Sequence, residues 1–171
     1  MKLLNALKVA TLGSVAALLI SGAVGCAPNH AKHGPAIYDR HADGEKLIAD
    51  ALVVAKRENK HVFAEFGANY CIWCRRMYSL LHSNEIVAPY FEKNFVLVMV
   101  DVDEVDGKLH NESLINRYGD PTTNGMPGLV LLDADGKVLR VQDTEAFQHG
   151  DHYEAEKVLE FLKAHAPKTA N

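Results

Sequence analysis

Cysteine and tryptophan are scarce in this chain of 171 residues, which holds three of the former and one of the latter. With cysteines only at positions 26, 71 and 74, there is no second ligand pair of recognisable spacing to build a zinc site. The residue after Cys74 is Arg75 and not histidine, which excludes haem attachment at that pair. Basic clusters are missing and the net charge is −4, so no positive face is offered to nucleic acid. There is no glycine-rich phosphate cradle, no internal repeat and no low-complexity run. The acidic stretch Asp101 to Gly107 has its glycine one place late for a calcium loop and Val105 in a ligand position; it is expected to be a solvated loop. No cofactor and no metal is expected.

A long apolar run is also lacking. The stretch Val9–Val24 follows Lys2 and Lys8 and is interrupted by Gly13, Ser14, Ser21 and Gly22, too weak for a permanent membrane span. Charge followed by a short apolar segment has the order of a secretory signal peptide over residues 1–25. Its end, Ala23-Val24-Gly25-Cys26, resembles the lipobox of bacterial lipoproteins, which implies acylation of Cys26. An unpaired thiol in an oxidising compartment is a liability that acylation removes. Residues 26–42 carry Pro28, Pro35 and Gly34 with His30, His33 and His41 and no periodicity, and are expected to tether the anchor to a single domain over 43–167.

Within that domain, Asp43 is expected to cap a helix to about Asn59, with Leu47, Ile48, Ala51, Leu52 and Ala55 on one face. His61–Phe66 reads as a strand, in which Glu65 is a lone acid among apolar residues. Helical segments follow over 71–82, 85–93 and 111–118. Phe95–Val102 is almost wholly apolar and is expected to be a central strand. The Asp135-Gly136 step between Leu129–Leu132 and Val138–Val141 signals a hairpin. Asp151 and Glu154, at capping-box spacing, are expected to open a terminal helix. The order implies an α/β fold with a mixed sheet.

Cys71-Ile72-Trp73-Cys74 places two thiols across one helical turn, close enough to close a small disulfide ring. At a helix start, free amide N–H groups favour an anion, and a thiol there falls from about 8.5 to between about 3.5 and 7.5. Cys71 is thus the candidate nucleophile and Cys74 the resolving thiol. A structural disulfide is the competing reading.

Glu65 to Cys74, the Met126-Pro127-Gly128 step and the Asp133–Lys137 turn together resemble the thioredoxin superfamily over about Asp43 to His165. The resemblance implies a thioredoxin fold and thiol-disulfide oxidoreductase activity. It implies that Glu65 exchanges a proton with Cys74, that the Met126–Pro127 bond is cis, and that Tyr70, Trp73, Met126 and Pro127 contact an extended substrate. Where the superfamily usually has a lysine near the buried acid, this chain has Met99. Protein disulfides are the expected substrates, with a membrane protein as electron donor and a lipid-anchored, periplasm-facing location in the bacterial envelope. Reduction or exchange is expected over oxidation. The alternative is a non-catalytic binding module with a permanent disulfide or a copper-handling role.

Overall fold

The computed structural model describes residues 34–168; the leader, Cys26, His30 and His33 lie outside the described residues. Asp43 caps the first helix, α1 (Gly44–Glu58), its carboxylate accepting from the amides of Glu45 and Lys46. Those are two of the four amides that a helix start leaves without partners. Ile48, Ala51 and Ala55 form the buried stripe, and Asn59 ends the helix in the left-handed region at φ 52°.

Strand β1 (His61–Gly67) follows and is one of the two inner strands of the sheet. It runs parallel to β2 (Phe95–Asp101) and antiparallel to β5 (Gly128–Leu132), which pairs in turn with β6 (Val138–Asp143), in the order β2-β1-β5-β6. Helices cover both faces. Val62, Ala64 and Phe66 pack with the α1 stripe and with Leu114 and Ile115 of α4 (Glu112–Arg117). Phe63 points the other way, into a core shared with α2 (Ile72–Ser83), α3 (Val87–Asn94) and α5 (Ala155–His165). Fully burying a side chain such as Phe63 contributes about 2 kcal/mol. Alternation therefore puts Glu65 and Gly67 on the α2 face with Phe63. Pro89 lies in the first turn of α3, where its missing N–H costs no helical bond.

Four expectations are corrected. Phe95–Asp101 is an edge strand and not a central one; its apolar character comes from helices on both faces, which says nothing about its lateral neighbours. The terminal helix begins after Glu154, with no side-chain cap, because Asp151 is taken up in the turn between β7 (Gln148–His149) and β8 (His152–Tyr153). The acidic loop forms a small hairpin, β3 (Glu104–Val105) with β4 (Lys108–Leu109), and its first residue, Asp101, is buried. Finally, the end of the expected tether, residues 35–42, packs on the domain and buries Tyr38. No helix among the described residues is long and apolar enough to cross a membrane.

Candidate active site

Cys71 is the N-cap of α2, and its sulfur accepts a hydrogen bond from the Cys74 amide at 3.1 Å. The two cysteines are joined in a disulfide with their Cα atoms 5.3 Å apart. Their burial differs: Cys71 retains 8% exposure and Cys74 none. Cys71 is thus the more accessible of the two. Cys71 Sγ also lies 3.6 Å from the carbonyl oxygen of Met126, whose bond to Pro127 is cis. The 126–127 loop thus lies beside the disulfide.

The loop is held from below. Thr144, buried, donates its hydroxyl to the Pro127 carbonyl at 3.3 Å, and Tyr153 donates to Thr144 at 3.0 Å. Tyr153 also meets the edge of Trp73, their ring centroids 5.1 Å apart. Arg76 lies over the Trp73 ring at 4.6 Å. Trp73 is therefore half-buried, partly core and partly surface. Tyr70 and Ile72 are the exposed apolar side chains of the rim. Gly128 is required where it stands, since a Cβ there would collide with the backbone carbonyl of Pro121.

Glu65 is fully buried on β1. Its register partners are Met99 on β2 and Leu129 on β5, neither of which offers charge or a polar atom to it. Burial drives its carboxyl up from the ordinary 4.5 to about 8, against a hydrogen bond from Tyr38 that pulls downwards. The Tyr38 hydroxyl donates to Glu65 Oε1 at 2.7 Å, while Oε2 has no hydrogen-bond partner among the described residues. The Tyr38 hydroxyl is itself held far above its usual range, first by burial and then by the adjacent Glu65 charge.

Two residues along the same face, Gly67 joins this acid to the disulfide. A Cβ at Gly67 would collide with both the Tyr38 hydroxyl and Cys74 Sγ. Tyr38, Cys71 and Cys74 form one small buried cluster, covered by Ile37, Trp73, Met99 and Met126.

The structure thus brings Glu65, Cys71, Cys74, Trp73, Met126 and Pro127 together, with Tyr70 on the adjoining surface. Cys26 lies outside the described residues. Tyr38, Thr144 and Tyr153 were not singled out from sequence. Tyr153 stands just before a helix and Thr144 just after a strand, and neither position carries a motif.

The Thioredoxin-like family model matches residues 45–134. The disulphide isomerase from Xylella fastidiosa Temecula1 is 30% identical and superposes with a TM-score of 0.63, over 76% of this chain and 96% of that one. The C-terminal domain of Neisseria meningitidis DsbD in its oxidised form, 22% identical, shares the fold with a TM-score of 0.50 over 72% of this chain and 97% of that one. Spermatogenesis-associated protein 20 of Rattus norvegicus is 40% identical over 55 residues, which are 32% of this chain and 7% of that much longer protein. With the mixed sheet, the disulfide at the head of α2 and the cis-proline loop beside it, these matches establish that the chain belongs to the thioredoxin-like family.

Proposed function

We propose that this protein is a thiol-disulfide oxidoreductase that reduces or exchanges disulfides of other proteins in the bacterial envelope. The observation that carries the reading is the asymmetry of the pair: Cys71 keeps a small exposure, beside the exposed Tyr70 and Ile72 and the partly buried Met126, while Cys74 is fully buried on the side of an acid. A permanent structural bond has no use for that arrangement.

In the reduced protein, the Cys71 thiolate attacks one sulfur of a substrate disulfide. A Cys71–substrate disulfide forms, and the other substrate sulfur leaves as a thiolate that takes a proton from water. Glu65, as carboxylate, then takes the Cys74 proton, and the Cys74 thiolate attacks Cys71 Sγ. The second substrate sulfur leaves Cys71 as a thiolate and takes a proton from water, as the first did, while Glu65 gives its proton back to water; the substrate is released as a dithiol and the protein is left with its Cys71–Cys74 disulfide. Two electrons and two protons must then come from a reductant, for which a membrane electron-donor protein is the proposed source. The backbone of Met126 pairs with the extended substrate segment, and Tyr70, Trp73 and Pro127 supply its apolar contacts. Acylation of Cys26 holds the domain on a periplasm-facing membrane surface, each buried CH₂ contributing about 0.8 kcal/mol.

Equilibration of the pair with glutathione buffers tests this reading, together with a Cys74→Ser variant that retains mixed disulfides and a Cys71→Ser control that does not. A reversible potential between about −270 and −120 mV with trapped proteins supports it. A potential well below about −300 mV with nothing trapped overturns it in favour of a binding module with a structural disulfide.

A further inference from the structure

Among the described residues, no cation accompanies Glu65, as one usually does a buried carboxylate. The groups facing it come from four elements: Tyr38 from the 35–42 segment, Cys71 and Cys74 from α2, Asp101 from the end of β2, acting through Tyr38, and Tyr153 from β8. None is positively charged. Tyr153 gives its hydroxyl to Thr144, so among the described residues Tyr38 alone donates to the acid.

Tyr38 is held by the active-site loop itself. Asn69, two residues before Cys71, accepts the amides of Ile37 at 2.8 Å and Tyr38 at 3.0 Å through Oδ1, and donates through Nδ2 to the Tyr38 carbonyl at 2.9 Å. Arg75, next to Cys74, donates to the carbonyls of Asn69 and Pro35, each at 2.9 Å. The 35–42 segment is thereby a strap tied on both sides of the cysteine pair, with one side chain driven inwards.

We propose that Tyr38 is a positioning residue of the dithiol chemistry: the strap sets its hydroxyl on Glu65 beside Cys74, so that the N-terminal segment supplies the donor that readies Glu65 to take the Cys74 proton. This rests on the reading of Glu65 as the proton acceptor. The physical basis is that an O–H donor stabilises the carboxylate more than the neutral acid. Burial pushes the acid towards staying protonated, and the phenol pulls it back towards the ionised form in which it acts as a base.

The test follows two readouts on the full-length chain: the infrared carboxyl band that Glu65→Gln removes, and the pH profile for release of glutathione from its mixed disulfide with Cys71. Tyr38→Phe is expected to move both midpoints upwards by about one pH unit, the tenfold gain in proton affinity that follows loss of a hydrogen bond to a charged oxygen. Fluorotyrosine placed at position 38 keeps the shape but is a stronger donor, and is expected to move both midpoints downwards; it decides alone if Tyr38→Phe does not fold. Should Glu65→Gln remove the pH dependence while both position-38 variants keep the wild-type midpoints, the Tyr38 assignment is overturned and the role of Glu65 stands. A Glu65→Gln profile that matches wild type overturns both.

Discussion

A carboxyl group that titrates near 8 inside a folded chain and near 4.5 outside it weakens that fold as pH rises. Between those two values the native protein keeps the Glu65 proton that the unfolded chain has given up. Unfolding then releases a proton, and stability falls across the window with a slope approaching about 1.4 kcal/mol per pH unit. Below 4.5 both states are protonated and the cost vanishes. Glu65→Gln removes the titration. Denaturant unfolding at about pH 5 and pH 8 should therefore show the variant gaining on wild type by about 3 kcal/mol over that interval; a constant difference between the two would mean that Glu65 does not titrate there. The acid was legible in the sequence, as one charge in an apolar strand. Its partner was not, because Tyr38 lies 27 residues away in a segment whose prolines, glycine and histidines read as tether. Only three-dimensional closure shows that one tyrosine there points inwards.

Among the elements, local signals were the readable ones. Asp43 was identified as a cap from its place before an apolar period, and it accepts two amide hydrogen bonds. Asp43→Ala should cost about 1 kcal/mol and lower the thermal midpoint by a few degrees, measured by calorimetry. The hairpin between β5 and β6 was legible for the same local reason, with Gly136 at φ 83° in its turn. The lateral place of β2 was not: an apolar strand records helices above and below it, whereas strand order depends on crossovers between segments far apart in sequence. The terminal helix shows the converse error. Asp151 and Glu154 have capping-box spacing, but a two-residue strand pairing took the chain elsewhere before the helix began.

At the scale of the whole molecule, the strap decides where the working unit begins. The family match starts at residue 45, and a recombinant fragment cut there would lose Asp43 and Tyr38 together. Removing a whole side chain differs from removing its hydroxyl. Tyr38→Phe leaves Glu65 dry and deprives it of a donor, whereas the shortened fragment opens a channel through which water solvates the carboxylate. Because burial is the largest cause of the raised value, the fragment's acid should titrate below that of the intact chain, back towards 4.5, as read by the same infrared band. The two changes thus move the acid in opposite directions although both delete the same contact. Reactivity measured on such a fragment would describe a wet site where the longer chain keeps a sealed one.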